Sequence, residues 1–425
     1  MTASVHPNAF VELYLDDVPA PQRLQHAWAT GSSVESGACN VHFKCPIVEH
    51  HNAGRRIELA VFTDLADPSL PVVMTDAAAL NGDLSTARSL TDVATRLGIR
   101  PVSILEPWPL TSVRIPKPWG EEIWLTGIEE RGVSHVKDTP LHWLLDVAGD
   151  FFDTTSRLPI LLKILSPSPD NPKGDLYFEL HEQKQEVYVV TDVNPMAWPD
   201  GIGQIRMGFS KQKRASFEDD SAFLSSFREA IADYERVRRQ IDRGATSPTL
   251  EAEEQDLRAI TETYTDSKSL RVGDVVGVPT RVPHSLRHGV RVVEFQTPHY
   301  ERKIISFAQE VITQEHWDTR DALEIARTDV PETEIKLLSD TGGLRSELVC
   351  RFEEFEVRRY IFRPGVHTTL SSTRYQLAMA ITPGIRIDGS SLRPEDAVAL
   401  PGKVTCVALN DSESQAMLLV ALPAR

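Results

Sequence analysis

Basic charge is the first shortage in this chain of 425 residues: 45 lysines and arginines stand against 61 aspartates and glutamates, for a formal net charge of −16. Such a surface repels nucleic acid and anionic lipid at long range, so an anionic ligand would need a local group of cations. Cysteine is scarce too. Cys39, Cys45, Cys350 and Cys406 form no C-x-x-C pair, which argues against a disulfide framework or a thiolate zinc site. No stretch approaches the roughly 18 consecutive apolar residues of a membrane helix. The opening MTASVHPNAFVELYL also lacks a basic segment followed by a continuous apolar one. The expectation is a soluble, cytoplasmic protein whose partner is a small molecule, with no nucleic acid and no membrane.

What is present reads as β structure. At roughly 150 residues per domain, the length implies two to three domains. From Asn8 to Ser112 the runs AFVELYL, NVHFKCPIVE, RIELAVF, LPVVM and PVSIL alternate with turn residues, interrupted by one short helix, TDVATRLG. After the proline-rich EPWPL a second region opens at Val113. Within it, Phe223, Phe227, Ile231, Tyr234, Val237 and Ile241 recur every three or four residues, predicting a helix that Gly244 ends. Ser247-Pro248 starts another, with proline where a missing N–H is harmless. Past Asp329 the pattern is again strand-like. The expected organisation is an N-terminal β-rich domain (1–112), a central β domain (113–330) with a helical insert at about 218–266, and a C-terminal β domain (331–425).

Two stretches carry the chemistry. In FELHEQKQEVYVV, Phe178 to Val190, charged residues interrupt an otherwise apolar strand, although burying unpaired charge is costly. Residues i and i+2 of a strand share a face, so Glu179 and His181 project together, and Glu186 arrives from the next strand. In VGDVVGVPTRVPHSLRHG a turn, a strand and a proline precede His284, which enters from a neighbouring hairpin. Glu179, His181, Glu186 and His284 make a two-histidine, two-carboxylate set that suits one divalent first-row metal, with zinc the expected ion. The bland alternative is a solvated strand face with a core histidine; His288 is the alternative fourth ligand. His42, His50 and His51 lack ligand spacing and read as loop or surface, LEAEEQDLR as a solvated helix face, and PEDAVALPG as structural because no histidine follows Pro401.

The same pieces, in order, resemble the type I mannose-6-phosphate isomerases of the cupin superfamily: PKPWGEEIW, LPILLKIL, KQEVYVV, GDVVGVPTRVPHSL and VVEFQTPHYERKI. The resemblance spans residues 113–425, most densely Pro116 to Glu310. It implies cupin jelly-roll barrels with a helical insert and a metal-free C-terminal barrel. It also implies a metal-dependent aldose–ketose isomerase working through an enediol. The residues it implies are Arg302 and Lys184 near the reacting carbons, Lys163 at the substrate phosphate, with Lys173 an alternative, and Trp119 close to the site, the base being left open with Glu294 a candidate; Arg281 and Tyr177 stand toward the substrate where the chain departs from the family pattern. Two departures stand out: Glu179 replaces a family glutamine, and Tyr177 replaces a family serine that contacts phosphate. They imply a substrate shifted from mannose 6-phosphate. The alternatives are another metallo-cupin enzyme acting on unphosphorylated sugar or with iron and dioxygen, and a carbohydrate-binding or regulatory protein without turnover.

Overall fold

The computed structural model describes residues 3–4, 10–31, 40–49, 54–80, 84, 86–152 and 160–424. Antiparallel sheets dominate it, as the alternating runs require. The chain divides into two compact units, one gathering Met1–Val113, Trp124–Leu161 and Ile335–Arg425, the other Arg114–Ile123 and Leu162–Glu334. The segments read from the sequence are three consecutive stretches, whereas the first unit gathers the N-terminal and C-terminal stretches together with 124–161. Pairing explains the difference: Trp108 lies opposite Ala399, and Val136 lies opposite Leu110. The strands Trp108–Thr111 and His135–Val136 thereby extend the C-terminal sheet.

In the first unit a six-stranded sheet built mainly on Asn40–Glu49, Arg55–Asp64 and Pro71–Asp76 packs Phe62 and Val73 against Leu90 and Val93 of the helix Leu90–Leu97. The helix Arg23–Gly31 was not expected. Among its described side chains the buried apolar ones are Leu24 and Ala27, too short a stripe to show helical periodicity. The C-terminal part stacks a nine-stranded and a four-stranded sheet over a core of Phe362, Ala378, Ile385 and Leu418. PEDAVALPG supplies a strand of that nine-stranded sheet, Ala397–Leu400.

The second unit is a jelly roll of two sheets. One runs β8 (Val275–Val278), β5 (Glu186–Val193), β10 (Val290–Gln296), β3 (Leu161–Pro167), β2 (Gly120–Trp124), β1 (Val113–Lys117). The other runs β7 (Thr265–Leu270), β6 (Gly203–Phe209), β9 (His284–Leu286), β4 (Phe178–Leu180), β11 (Lys303–Ser306). Between β6 and β7 the chain makes the expected helical hairpin, α1 (Asp220–Asp242) and α2 (Pro248–Glu262). Phe223, Phe227, Ile231, Tyr234 and Val237 form the buried stripe, while Ile241 is only half-buried. Gly244 leaves the helix at φ +88°, and the Ser247 hydroxyl caps α2. The turn before β2 needs its glycine: a Cβ on Gly120, at φ +148°, would sit 2.3 Å from the Ser166 carbonyl oxygen.

Candidate metal and substrate site

The inner faces of the two sheets bring the predicted ligands together. Glu179 on β4 lies opposite His284 on β9 in the strand register, His181 follows two residues after Glu179, and Glu186 begins β5 on the facing sheet. Ligand atoms of Glu179, His181 and His284 all lie within 4.8 Å of one another. The two imidazoles are 1% and 2% exposed, so solvent cannot satisfy them. Each ring hands its Nδ1 hydrogen to a backbone carbonyl, His181 to Glu301 at 2.8 Å and His284 to Val282 at 3.0 Å. A carbonyl only accepts, so Nδ1 must carry the proton and Nε2 of a neutral ring is left with a lone pair. Neither Nε2 has a hydrogen-bond partner among the described residues, and neither does Glu179 Oε2. Burial, with the Lys184 ammonium adding to it, pulls the His181 imidazole well below its ordinary range and keeps it neutral. Three buried, convergent, lone-pair-bearing atoms without hydrogen-bond donors fit a divalent cation.

Glu186 stands beside this group with its oxygens 3.7 Å from His181 Nε2 and 3.2 Å from His284 Nε2. Both oxygens already have partners: Oε1 meets the Lys184 ammonium, and Oε2 accepts from Tyr188 Oη at 2.8 Å. Burial alone would push the Glu186 carboxyl up, yet the Lys184 charge holds it well below the usual carboxylate range. The structure thus sets Glu186 in an ion pair next to the three-residue group. His288, the alternative ligand, is turned elsewhere. Its Nδ1 lies 2.8 Å from Asp175 Oδ1, and its ring stacks on Trp198 with centroids 4.9 Å apart. Strand β9 ends at Leu286, so His284 and His288 do not share one strand face.

Charge continues across the larger sheet. Ionisable side chains follow one another across five neighbouring strands: Glu186 on β5, Glu294 on β10, Lys163 on β3, Glu122 on β2 and Lys117 on β1. Lys163 Nζ lies 3.6 Å from Glu294, and Lys117 Nζ lies 3.2 Å from Glu122. Burial pushes the Glu294 carboxyl up to about 8, the Lys163 ammonium pulling it down and the Glu186 carboxylate pushing it further. Glu294 Oε1 has no hydrogen-bond partner among the described residues. Arg302, partly exposed, places its guanidinium 4.5 Å over the Tyr177 ring and 3.9 Å from Glu179 Oε2.

The remaining sequence-predicted residues fall less centrally. Trp119 is 2% exposed and belongs to the apolar core with Leu165 and Tyr188. Arg281 is exposed at φ +64°; its backbone N–H donates to the His181 carbonyl. Lys173 is exposed, and His42 lies in the first unit, 3.6 Å from Glu12. His50 and His51 fall outside the described residues. Two residues escaped the sequence reading. Glu301 holds His181 by its carbonyl, and its carboxylate accepts from the backbone N–H groups of Gln183 and Lys184, pinning the loop before Glu186. Nothing in its local sequence signals that. Tyr188, two residues beyond Glu186, was legible from strand periodicity alone.

Two antiparallel sheets closed around a buried histidine–carboxylate group define a cupin fold, mainly β with a helical insertion. Comparison with solved structures agrees. The chain is similar in fold to the mannose 6-phosphate isomerase from Bacillus subtilis (TM-score 0.56, 14% identity, covering 74% of this chain and 99% of that one). It is similar also to a single-residue variant of the phosphomannose isomerase from Salmonella typhimurium (TM-score 0.55, 9% identity, 75% and 100%). A zinc-bound mannose 6-phosphate isomerase matches at TM-score 0.54 and 9% identity, again over 75% and 100%. No protein-family model matches the sequence, and no curated protein matches it.

Proposed function

We propose that the second unit is a metal-dependent aldose–ketose isomerase of the mannose-6-phosphate isomerase type, acting on a small sugar or sugar phosphate. The observation that carries the reading is the group of Glu179, His181 and His284, whose Oε2 and Nε2 atoms are buried without hydrogen-bond partners among the described residues, beside Lys184, Arg302 and Glu294. Glu179, His181 and His284 would hold the metal, with Glu186 next to them, and zinc is the ion we propose. When bound, such a cation polarises a substrate oxygen and stabilises the negative charge that develops there. The chain's own groups supply the rest. Arg302, over the Tyr177 ring and beside Glu179, brings a positive charge to the site for an oxyanion. Glu294, with its carboxyl near 8, holds a proton at neutral pH in a place closed to water, as a group that exchanges protons with C1 or C2 requires. A reducing cytoplasmic setting belongs to the same proposal and rests on the buried, free thiols of Cys45, Cys350 and Cys406.

A second reading, a sugar-binding or regulatory cupin without turnover, is favoured by Lys163 and Tyr177. The Lys163 ammonium faces the Glu294 carboxyl, and Tyr177 fills the place of a phosphate-contacting serine beneath Arg302. One sample decides between them. Elemental analysis of the purified protein gives the metal, and a coupled isomerase assay with mannose 6-phosphate and with mannose gives the turnover. Metal with turnover supports the isomerase; metal without turnover of any aldose or aldose phosphate supports the second reading; no metal overturns both.

A further inference from the structure

The C-terminal part of the first unit contains a cavity of about 680 Å³, within the range of small-molecule sites. Arg351, Arg358 and Arg374 line it with Glu353 and Glu356, three positive side chains against two negative in a chain that is acidic as a whole. Glu356 acts as a strut. Its Oε2 accepts from Nε and Nη2 of Arg351 at 2.8 and 2.6 Å, and its Oε1 accepts from Nε of Arg358 at 2.8 Å. Those bonds use one edge of the Arg351 fork and leave its Nη1 amino group out of them. Arg374 is anchored through Nη1 to the Ala424 carbonyl, and the Ser372 hydroxyl accepts from its backbone N–H at 3.1 Å. A rigid guanidinium fork is the group that recognises planar or tetrahedral oxyanions best.

A second observation points to the rest of the ligand. Gln376, at the start of the strand Gln376–Ala380, lines the same cavity, is 6% exposed, and its Oε1 has no hydrogen-bond partner among the described residues. A buried amide oxygen without a donor is unfavourable, and a ligand hydroxyl satisfies it. We propose that this cavity binds a small hydroxylated oxyanion, a phosphorylated or carboxylated polyol, with the oxyanion on the arginines and a hydroxyl donating to Gln376. The site is separate from the barrel residues and does not depend on their function.

Calorimetric titration of the full-length protein with glycerol 3-phosphate, gluconate and inorganic phosphate tests it. We expect one polyol anion bound per chain, phosphorylated or carboxylated according to which titrates, with inorganic phosphate about tenfold weaker for want of the hydroxyl. Arg351→Gln and Gln376→Glu should each weaken binding by about tenfold or more, while His181→Ala leaves it unchanged. Gln376→Met keeps the volume and removes the orphaned acceptor; it should fold at least as stably and still lose affinity, which decides the matter where a charge variant misfolds. No binding of either polyol anion at millimolar concentration, equal affinity in the Gln376 variants, or loss of binding in His181→Ala overturns the proposal.

Discussion

His181 and His284 are held alike, each with Nδ1 on a carbonyl, and their ligand atoms lie within 4.8 Å of one another and of Glu179. His181→Ala and His284→Ala should therefore abolish metal binding in elemental analysis. His288→Ala should retain the metal, since that imidazole belongs to Asp175. Asp175 allows a pH test well away from the ligands. Burial pushes its carboxyl up, but the hydrogen bond from His288 and the charges of Arg287 and Arg206 outweigh it, so its folded value lies below the ordinary one. A carboxyl lowered on folding stabilises fully above its unfolded value of about 3.9, and that contribution is lost as pH falls through the folded value. Asp175→Asn should destabilise by about 1–3 kcal/mol at pH 7 in urea unfolding, with the difference from wild type shrinking below about pH 4. Arg302→Ala, under the isomerase reading, should reduce turnover on the order of 100-fold with the metal retained, because one preorganised charge is typically worth that much. An unchanged rate rejects its role. Tyr177→Ser with Glu179→Gln should raise turnover of mannose 6-phosphate, since the pair opens room beneath Arg302 and removes the carboxylate 3.9 Å from it.

Among the elements, the helical hairpin is the part whose pattern and packing agree most fully. Phe227, 1% exposed, meets Phe178 of β4 edge-on with centroids 6.5 Å apart and stacks on Tyr264 at 5.1 Å. The helix thus backs the strand that carries Glu179. Phe227→Ala should destabilise by about 3–5 kcal/mol, and Ser247→Ala, which removes only a cap, by about 1 kcal/mol. Equal losses in urea unfolding would mean that the hairpin packs no more firmly than it is capped. Strands β4 and β9 show the opposite relation between pattern and position. Each spans three residues, too few for alternation to reveal a register, and only their pairing brings Glu179 opposite His284.

For the whole molecule, a metal bound by the native site and absent from the unfolded chain stabilises through mass action, by about 2.7 kcal/mol at a concentration 100 times its Kd. Zinc should raise the melting temperature of the wild-type protein and leave that of His181→Ala unchanged. A shift of equal size in both would place the metal elsewhere. The formal charge of −16 makes the local placement of cations decisive. Lys163, Lys184, Arg302 and the three arginines of the C-terminal cavity are set in two groups, each framed by carboxylates.

By itself the sequence determined the mainly β class, the helical hairpin with its glycine and serine–proline boundaries, and the two-residue spacing of Glu179 and His181. These follow from local periodicities and turn chemistry, which act over a few residues. Contacts made across sheets decided the rest: the ion pair that engages Glu186 with Lys184, the carboxylate that faces Lys163, the withdrawal of His288 to Asp175, the embedding of Trp119 in the core and the anchoring of His181 by Glu301. The same contacts joined the strands Trp108–Thr111 and His135–Val136 to the C-terminal sheet of the first unit. Which side chains meet across a barrel depends on strand register and on the partners each charge finds when water is removed, and neither is written in the spacing of residues along one strand.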